Sequence, residues 1–345
     1  MKAAQFYGPE DIRLEEIDAP TPEPDEVLVD VAACGICGSD LHFYEDGFPN
    51  REVDYPITLG HEVGGTVVEV GDEVDDVEVG TDVVLSPHTP CYDCWSCENA
   101  LYNLCQNLKA TSARPGGYAE QVCEKASNAI PLPDGVSPAN AAIAQPVSVG
   151  LHAVRESGIG LGDSALVVGA GPIGLGAVRF AKSAGAGPLY VSEPTDSRRE
   201  IAGDFGADVL IDPTEEDPVE RVREETDVGV DFAFEAVGHE TTLAQAVEST
   251  RPAGHTTVIG VFGGAADFEP QHLVRYQRSV AGSTSHQLGP KVTKEYDVVL
   301  RQLASGELDA EQYVSSRIGL EDVVEKGFEA LLDEDSEERK ILVTP

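Results

Sequence analysis

Hydrophobic patterning divides the chain into two kinds of text. Between about Val27 and Val84, short β-like runs such as "EVLVDVAA", "GGTVVEVG" and "TDVVLS" are separated by Gly, Pro and Asp. Short strands punctuated by turn residues predict an antiparallel, barrel-like region. From about Val147, buried strands ("ALVVGA", "PLYVSE", "DVLID", "VDFAFEAVG", "TTVIGVFG") alternate with helical stretches ("GPIGLGAVRFAKSAG", "SRREIAGDFGA"). That alternation predicts βαβ units and a parallel sheet, an α/β architecture. It stops near His286, and the remainder ("KVTKEYDVVLRQLASGELD", "EDVVEKGFEALL", "RKILVTP") reads as helices and a closing strand. The expected organisation is a parallel-sheet domain over 147–285, inserted into a second domain built from 1–146 and 286–345.

Charge changes the picture more than size does. The 345 residues suffice for two ordinary domains. Acidic residues outnumber basic ones 62 to 23, for a formal charge of −39 and a pI near 4.3. Such a surface repels phosphates, so nucleic acid is not an expected partner. The acid is spread along the chain, and only eight of the 23 basic residues are lysine. This is similar to cytoplasmic proteins of salt-loving cells, where salt screens the self-repulsion; an ordinary acidic protein is the plainer alternative. The start "MKAAQFYGPEDIRLEE" lacks an apolar stretch of signal-peptide length, and the most apolar run, "SALVVGAGPIGLGAV", is too short and glycine-rich to span a bilayer. A cytoplasmic location without membrane association is expected.

The strand "ALVVG" runs into Gly169-Ala170-Gly171-Pro172-Ile173-Gly174, and a helical stretch follows. With Glu193 closing the next strand, this is the context of a dinucleotide fingerprint. The phosphates would lie at the helix N-terminus, and Glu193 would accept bonds from the adenosine ribose, favouring NAD. Arg198 and Arg199 follow, and either could instead hold the 2′-phosphate of NADP. A glycine-rich turn in another α/β fold is the bland alternative.

Seven cysteines stand at 34, 37, 91, 94, 97, 105 and 123. In "CYDCWSCENALYNLC", Cys91, Cys94, Cys97 and Cys105 can close a tetrahedron around a structural zinc; disulfides or an iron–sulfur cluster are the alternatives. If that loop is self-sufficient, "CGICGSDLH" and "LGHEVGG" are left to supply Cys37 and His61 to a second zinc with an open position. Cys34 and Cys123 read as small buried apolar residues.

With "GGYAE" and "EAVG", these motifs in this order are similar to the zinc-dependent medium-chain dehydrogenase/reductase family, and the whole chain shares the likeness. Its "VSEPTDSRR" and C-terminal segment most resemble the NAD-dependent (R,R)-2,3-butanediol branch, with sorbitol dehydrogenases near it. The resemblance implies a GroES-like catalytic domain carrying the zinc lobe at about 88–106, a Rossmann-type NAD domain, and a homo-oligomer, dimer or tetramer. It also implies Cys37 and His61 as catalytic zinc ligands, with Glu62 adjacent or exchangeable. Ser39 would take the substrate proton, Asp40 orient the histidine, and His42 end the proton relay. The third ligand position, a Cys or Glu in the family, holds Gln145 here, a poor neutral ligand. The expected activity is reversible oxidation of a small diol or polyol. Sorbitol or L-threonine 3-dehydrogenase activity, or a non-catalytic nucleotide-binding protein with an impaired zinc site, are the alternatives.

Overall fold

The computed structural model describes residues 1–48, 53–109, 115–287, 294–333 and 336–345. They form two compact units, Met1–Gln145 with Gln287–Pro345, and Pro146–His286.

In the first unit the strand Glu26–Gly35 is the axis of a seven-stranded sheet. One of its edges pairs antiparallel with Glu62–Val70 from Val27 to Gly35. The other is divided: Gln121–Lys125 takes residues 26–30, and the C-terminal strand Ile341–Thr344 takes Cys34 and Gly35. A strand paired along both edges and buried over most of its length is largely apolar, which is why "EVLVDVAACG" is nearly continuous rather than alternating, interrupted at the exposed Asp30. Val27, Val29, Val63, Val67 and Val83 fill the core beneath it.

A smaller sheet joins Asp11–Glu16, Lys2–Gly8 and Ile57–Thr58. The hydrophobic pattern did not reveal this N-terminal hairpin. Its outer strand, "DIRLEE", is charged and largely solvent-facing, so it carries no apolar alternation.

The second unit is a six-stranded sheet with every pairing parallel. Numbered from Ala165–Val168 within this unit, its strands lie in the order 3-2-1-4-5-6, that of doubly wound dinucleotide folds. Leu166, Val168, Tyr190, Ile211 and Ala233 form its core. Among the described residues, no helix is long and apolar enough to cross a membrane.

The last stretch of chain returns to the first unit through the helix Lys294–Ser305, while 291–293 of that expected helical segment lie outside the described residues. A π-helical turn, Val323–Phe328, then delivers Phe328 into the core, fully buried. Its ring lies 5.1 Å from that of Tyr44 and 5.8 Å, edge-on, from that of Tyr118. Replacing it empties the junction between the chain's two ends. Phe328→Ala is expected to lower stability by about 3–5 kcal/mol in urea denaturation, the usual cost of deleting a buried ring. A loss below about 1 kcal/mol would mean that this packing is not what joins them.

Candidate active site and metal sites

Antiparallel register sets Gly35 opposite both Glu62 and Leu342. Three strand ends therefore meet, and the residues just beyond them, Cys37, His61 and Lys340, are brought together with Glu62. Cys37 is the N-cap of the helix Gly38–Asp46. Asp40, at the third helical position, accepts the Cys37 N–H at 3.1 Å and the Tyr118 hydroxyl at 2.7 Å. Its other oxygen lies 3.5 Å from His61 Nδ1. With Nδ1 so engaged, Nε2 is the nitrogen left to ligate. Burial pushes the Asp40 pKa up, but the charge and hydrogen bond of His61 outweigh it and hold it below the usual carboxylate range. Burial likewise presses His61 down, and Asp40 and Cys37 together raise it well above normal.

Glu62 is fully buried, and its two oxygens accept from Lys340 Nζ at 2.8 and 2.7 Å. The same nitrogen donates to the Ile36 carbonyl at 2.6 Å, and Lys340 is itself 2% exposed. A Cβ at position 35 would stand 2.0 Å from Glu62 Oε2, so only glycine leaves room for this carboxylate. Cys37, His61 and Glu62 each offer a ligand atom within 4.8 Å of the others, close enough for small side-chain shifts to bring them onto one zinc at bonds of about 2.0–2.3 Å. Gln145 is buried in the first turn of the helix Ala144–Ser157.

Beside this cluster lies a cavity of about 500 Å³. Ser39, Asp40 and His61 line one side, Phe43, Phe48, Ile57 and Leu108 form apolar walls, and His88 and Lys109 add polar groups. Burial, helped by the His61 charge, lowers the His88 pKa to about 4, so this ring is neutral at physiological pH. His42 lies three residues beyond Ser39 on the same helix, half-buried and not among the lining residues.

The four remaining expected zinc ligands are also gathered. Sulfur separations are 3.6 Å for Cys94–Cys97, 3.8 Å for Cys94–Cys105 and 3.4 Å for Cys91–Cys105. Thiolates around a tetrahedral zinc at about 2.3 Å stand about 3.8 Å apart, so the set fits without rearrangement. Backbone N–H groups of Cys91, Gln106 and Asn107 point at these sulfurs. Such donors from residues 97 and 106 pull the Cys94 pKa down to about 6. None of the cysteines is in a disulfide.

In the second unit, the fingerprint turns as its glycines require. Gly169 has φ +94°, and a Cβ at Gly174 would lie 2.0 Å from the Gly169 carbonyl. Nothing stands within 4 Å of the Cβ direction at Gly171, the N-cap of the helix Pro172–Ser183, which leaves an open cradle at the helix N-terminus. A cavity of about 520 Å³ extends from Gly169 and Gly171 past Glu193 and Arg198. Glu193 accepts from the Ala170 and Thr195 N–H groups at 2.8 and 3.0 Å. Arg199 turns elsewhere, donating to the Glu193 and Pro194 carbonyls and pairing with Asp212.

The alcohol dehydrogenase GroES-like domain matches residues 23–134, and the zinc-binding dehydrogenase domain matches 172–305. The (R,R)-butanediol dehydrogenase of Bacillus subtilis (strain 168) is 36% identical over the full length of both chains. The chain belongs to the zinc-binding medium-chain alcohol dehydrogenases. L-threonine 3-dehydrogenase of Pyrococcus abyssi (strain GE5 / Orsay) is also 36% identical, over 96% of this chain and 94% of its own. A solved zinc-binding dehydrogenase structure from Sinorhizobium meliloti 1021, bound to NADP, has a TM-score of 0.89 at 32% identity, covering 100% and 99% of the two chains.

Two residues beside the candidate site, Lys340 and His88, carry no signal in the sequence. Lys340 looks like one more basic residue in "EERKILVTP", and His88 like part of the cysteine loop. A buried lysine announces itself only through its partner, 278 positions away. For the lobe, Cys94→Ser is expected to remove one zinc per chain and lower the thermal midpoint. A Cys94→Ser protein that kept its zinc content and stability would overturn the assignment of a structural metal to these cysteines.

Proposed function

We propose that this dehydrogenase reversibly oxidises a secondary hydroxyl of a small vicinal diol, of the 2,3-butanediol kind, with NAD. The observation that carries the reading is the cavity beside Ser39 and His61, whose apolar walls suit a short carbon chain and whose neutral His88 can meet a second hydroxyl. The relatives named butanediol dehydrogenases support the same substrate class. Cys37, His61 and either Gln145 or Glu62 would hold a zinc, which would supply the Lewis acidity that makes a substrate hydroxyl easier to deprotonate, and NAD would supply the hydride acceptor. Asp40 fixes the His61 ring. Ser39 takes the hydroxyl proton, and His42, one turn along the same helix, passes it to solvent.

A second reading is favoured by one observation: Lys109 lies at the same cavity and could pair with a carboxylate, as an amino acid such as threonine would offer. On the cofactor, Glu193 lines the nucleotide cavity and its negative charge would repel a 2′-phosphate, which supports NAD. The open edge strand Ser279–Gly282, exposed at all four residues, supports self-association into a homo-oligomer. The −39 charge supports a salt-adapted cytoplasmic enzyme.

In molar KCl, 2,3-butanediol with NAD is expected to exceed both L-threonine with NAD and butanediol with NADP in kcat/KM by about tenfold or more, a scale one pocket contact can provide. Activity should fall in dilute buffer. A preference for threonine would replace the diol by the second reading, and a preference for NADP would remove Glu193 as the cofactor selector.

Gln145 generates a separate expectation. A neutral amide holds zinc less firmly than a carboxylate or thiolate, so the catalytic zinc should leave to a mild chelator before the lobe zinc. Gln145→Glu should slow that loss while activity persists. Zinc per chain, followed against activity, checks this: equal resistance of both zincs in the wild type would show that the glutamine does not weaken the site.

A further inference from the structure

Glu62 has two prospective partners and one carboxylate. One of its oxygens lies within 4.8 Å of ligand atoms of Cys37 and His61, yet both oxygens already accept from Lys340 at 2.8 and 2.7 Å. The lysine is not a loose side chain that happens to reach inward. Its Nζ also holds the Ile36 carbonyl at 2.6 Å, and Lys340 immediately precedes the strand Ile341–Thr344, where the Ile36 N–H donates to the Ile341 carbonyl at 3.0 Å. Ile36 immediately precedes Cys37, so the clamp on Glu62 and the placement of Cys37 share one anchor. The pair is sealed from water, with Glu62 at 0% and Lys340 at 2% exposure. No solvent is at hand to replace the ammonium when the carboxylate turns away.

We propose that Lys340 is a positioning residue that withholds the Glu62 carboxylate from the metal at Cys37 and His61, and thereby sets how firmly that metal is kept. This rests on the reading that Cys37 and His61 hold a zinc. With Cys37 as a thiolate and neutral His61 and Gln145, the bound ion keeps a charge of about +1; adding Glu62 would bring it to about zero. By engaging both oxygens, Lys340 keeps the more positive and more weakly held state. The arrangement also accounts for Gly35, because the carboxylate is turned toward the lysine across the space a Cβ there would fill.

The test uses the full-length protein loaded with zinc and, separately, with cobalt(II) as a visible probe. Lys340→Met should slow release of the Cys37/His61 zinc to a chelator by about tenfold or more, the scale on which residues behind metal ligands act. The cobalt protein's visible absorption should change as a carboxylate joins the metal. Lys340→Arg, which can still clamp both oxygens, should release zinc at the wild-type rate. In a Glu62→Gln background, Lys340→Met should alter neither rate nor spectrum. Lys340→Gln, which can still bond the Ile36 carbonyl, serves if the methionine variant does not fold, with the same outcomes expected. Unchanged release and an unchanged cobalt spectrum would overturn the proposal. So would a slowing that persists without Glu62, since the lysine would then act only as a distant charge. Cys37→Ser separates the two levels: loss of one zinc per chain upholds the site beneath the proposal, and an unchanged zinc content would sink the site itself.

Discussion

The meeting of three strand ends at Gly35 is the constraint on which the rest of the first unit depends. One edge of Glu26–Gly35 carries Glu62 and the other carries the C-terminal strand, so the chain cannot complete its central sheet until its last residues return. That return brings a positive charge into the interior beside the buried carboxylate of Glu62. Two buried charges are costly to desolvate, and the Glu62–Lys340 pair is tolerable because every hydrogen bond in it is short and both partners are pinned by strands. Such a pair does little for net stability compared with a hydrophobic pair of the same size. Its consequence is specificity of placement: Glu62 has one orientation, and Cys37 one position.

The helix that follows extends this order outward. Its N-cap is Cys37, which is not a typical capping residue, and Asp40 takes over the task by accepting the Cys37 N–H. The same carboxylate also holds Tyr118 and His61. One buried aspartate thus caps a helix, anchors an aromatic ring and orients an imidazole. Phe328 packs against that aromatic ring, so the far end of the chain supports the site twice, through a ring and through an ion pair.

What could be read in the sequence was whatever is contiguous along it. "CGICGSDLH", the four-cysteine loop and "GAGPIG" each carry several members of a site within a few residues, because a helix N-terminus or a tight turn is itself local. The parallel sheet was legible for a related reason, since strands buried on both faces are written as unbroken apolar runs. The N-terminal hairpin was not, because its outer strand is charged. Nor was Lys340, whose meaning lies in register: only when Gly35 is known to stand opposite both Glu62 and Leu342 does position 340 fall behind the site. His88 is hidden likewise. Nothing in "SPHTPC" distinguishes a histidine that lines the cavity beside Ser39 and His61 from one that faces solvent.

The surplus of acid acts on the surface and the site differently. Where cations occur on the surface they sit among carboxylates, as Lys125 does beside Asp25 at 2.7 Å and near Glu23 and Glu26. Exposed pairs of this kind contribute about 0–1 kcal/mol each and weaken as salt rises. With 62 acidic residues against 23 basic, repulsive contacts outnumber attractive ones, so screening removes more destabilisation than stabilisation. Ions cannot reach the Glu62–Lys340 pair or Asp40, and screening is weak there. Screening by salt therefore acts on the acidic shell, while the geometry around Cys37, His61 and Glu62 is governed by buried contacts.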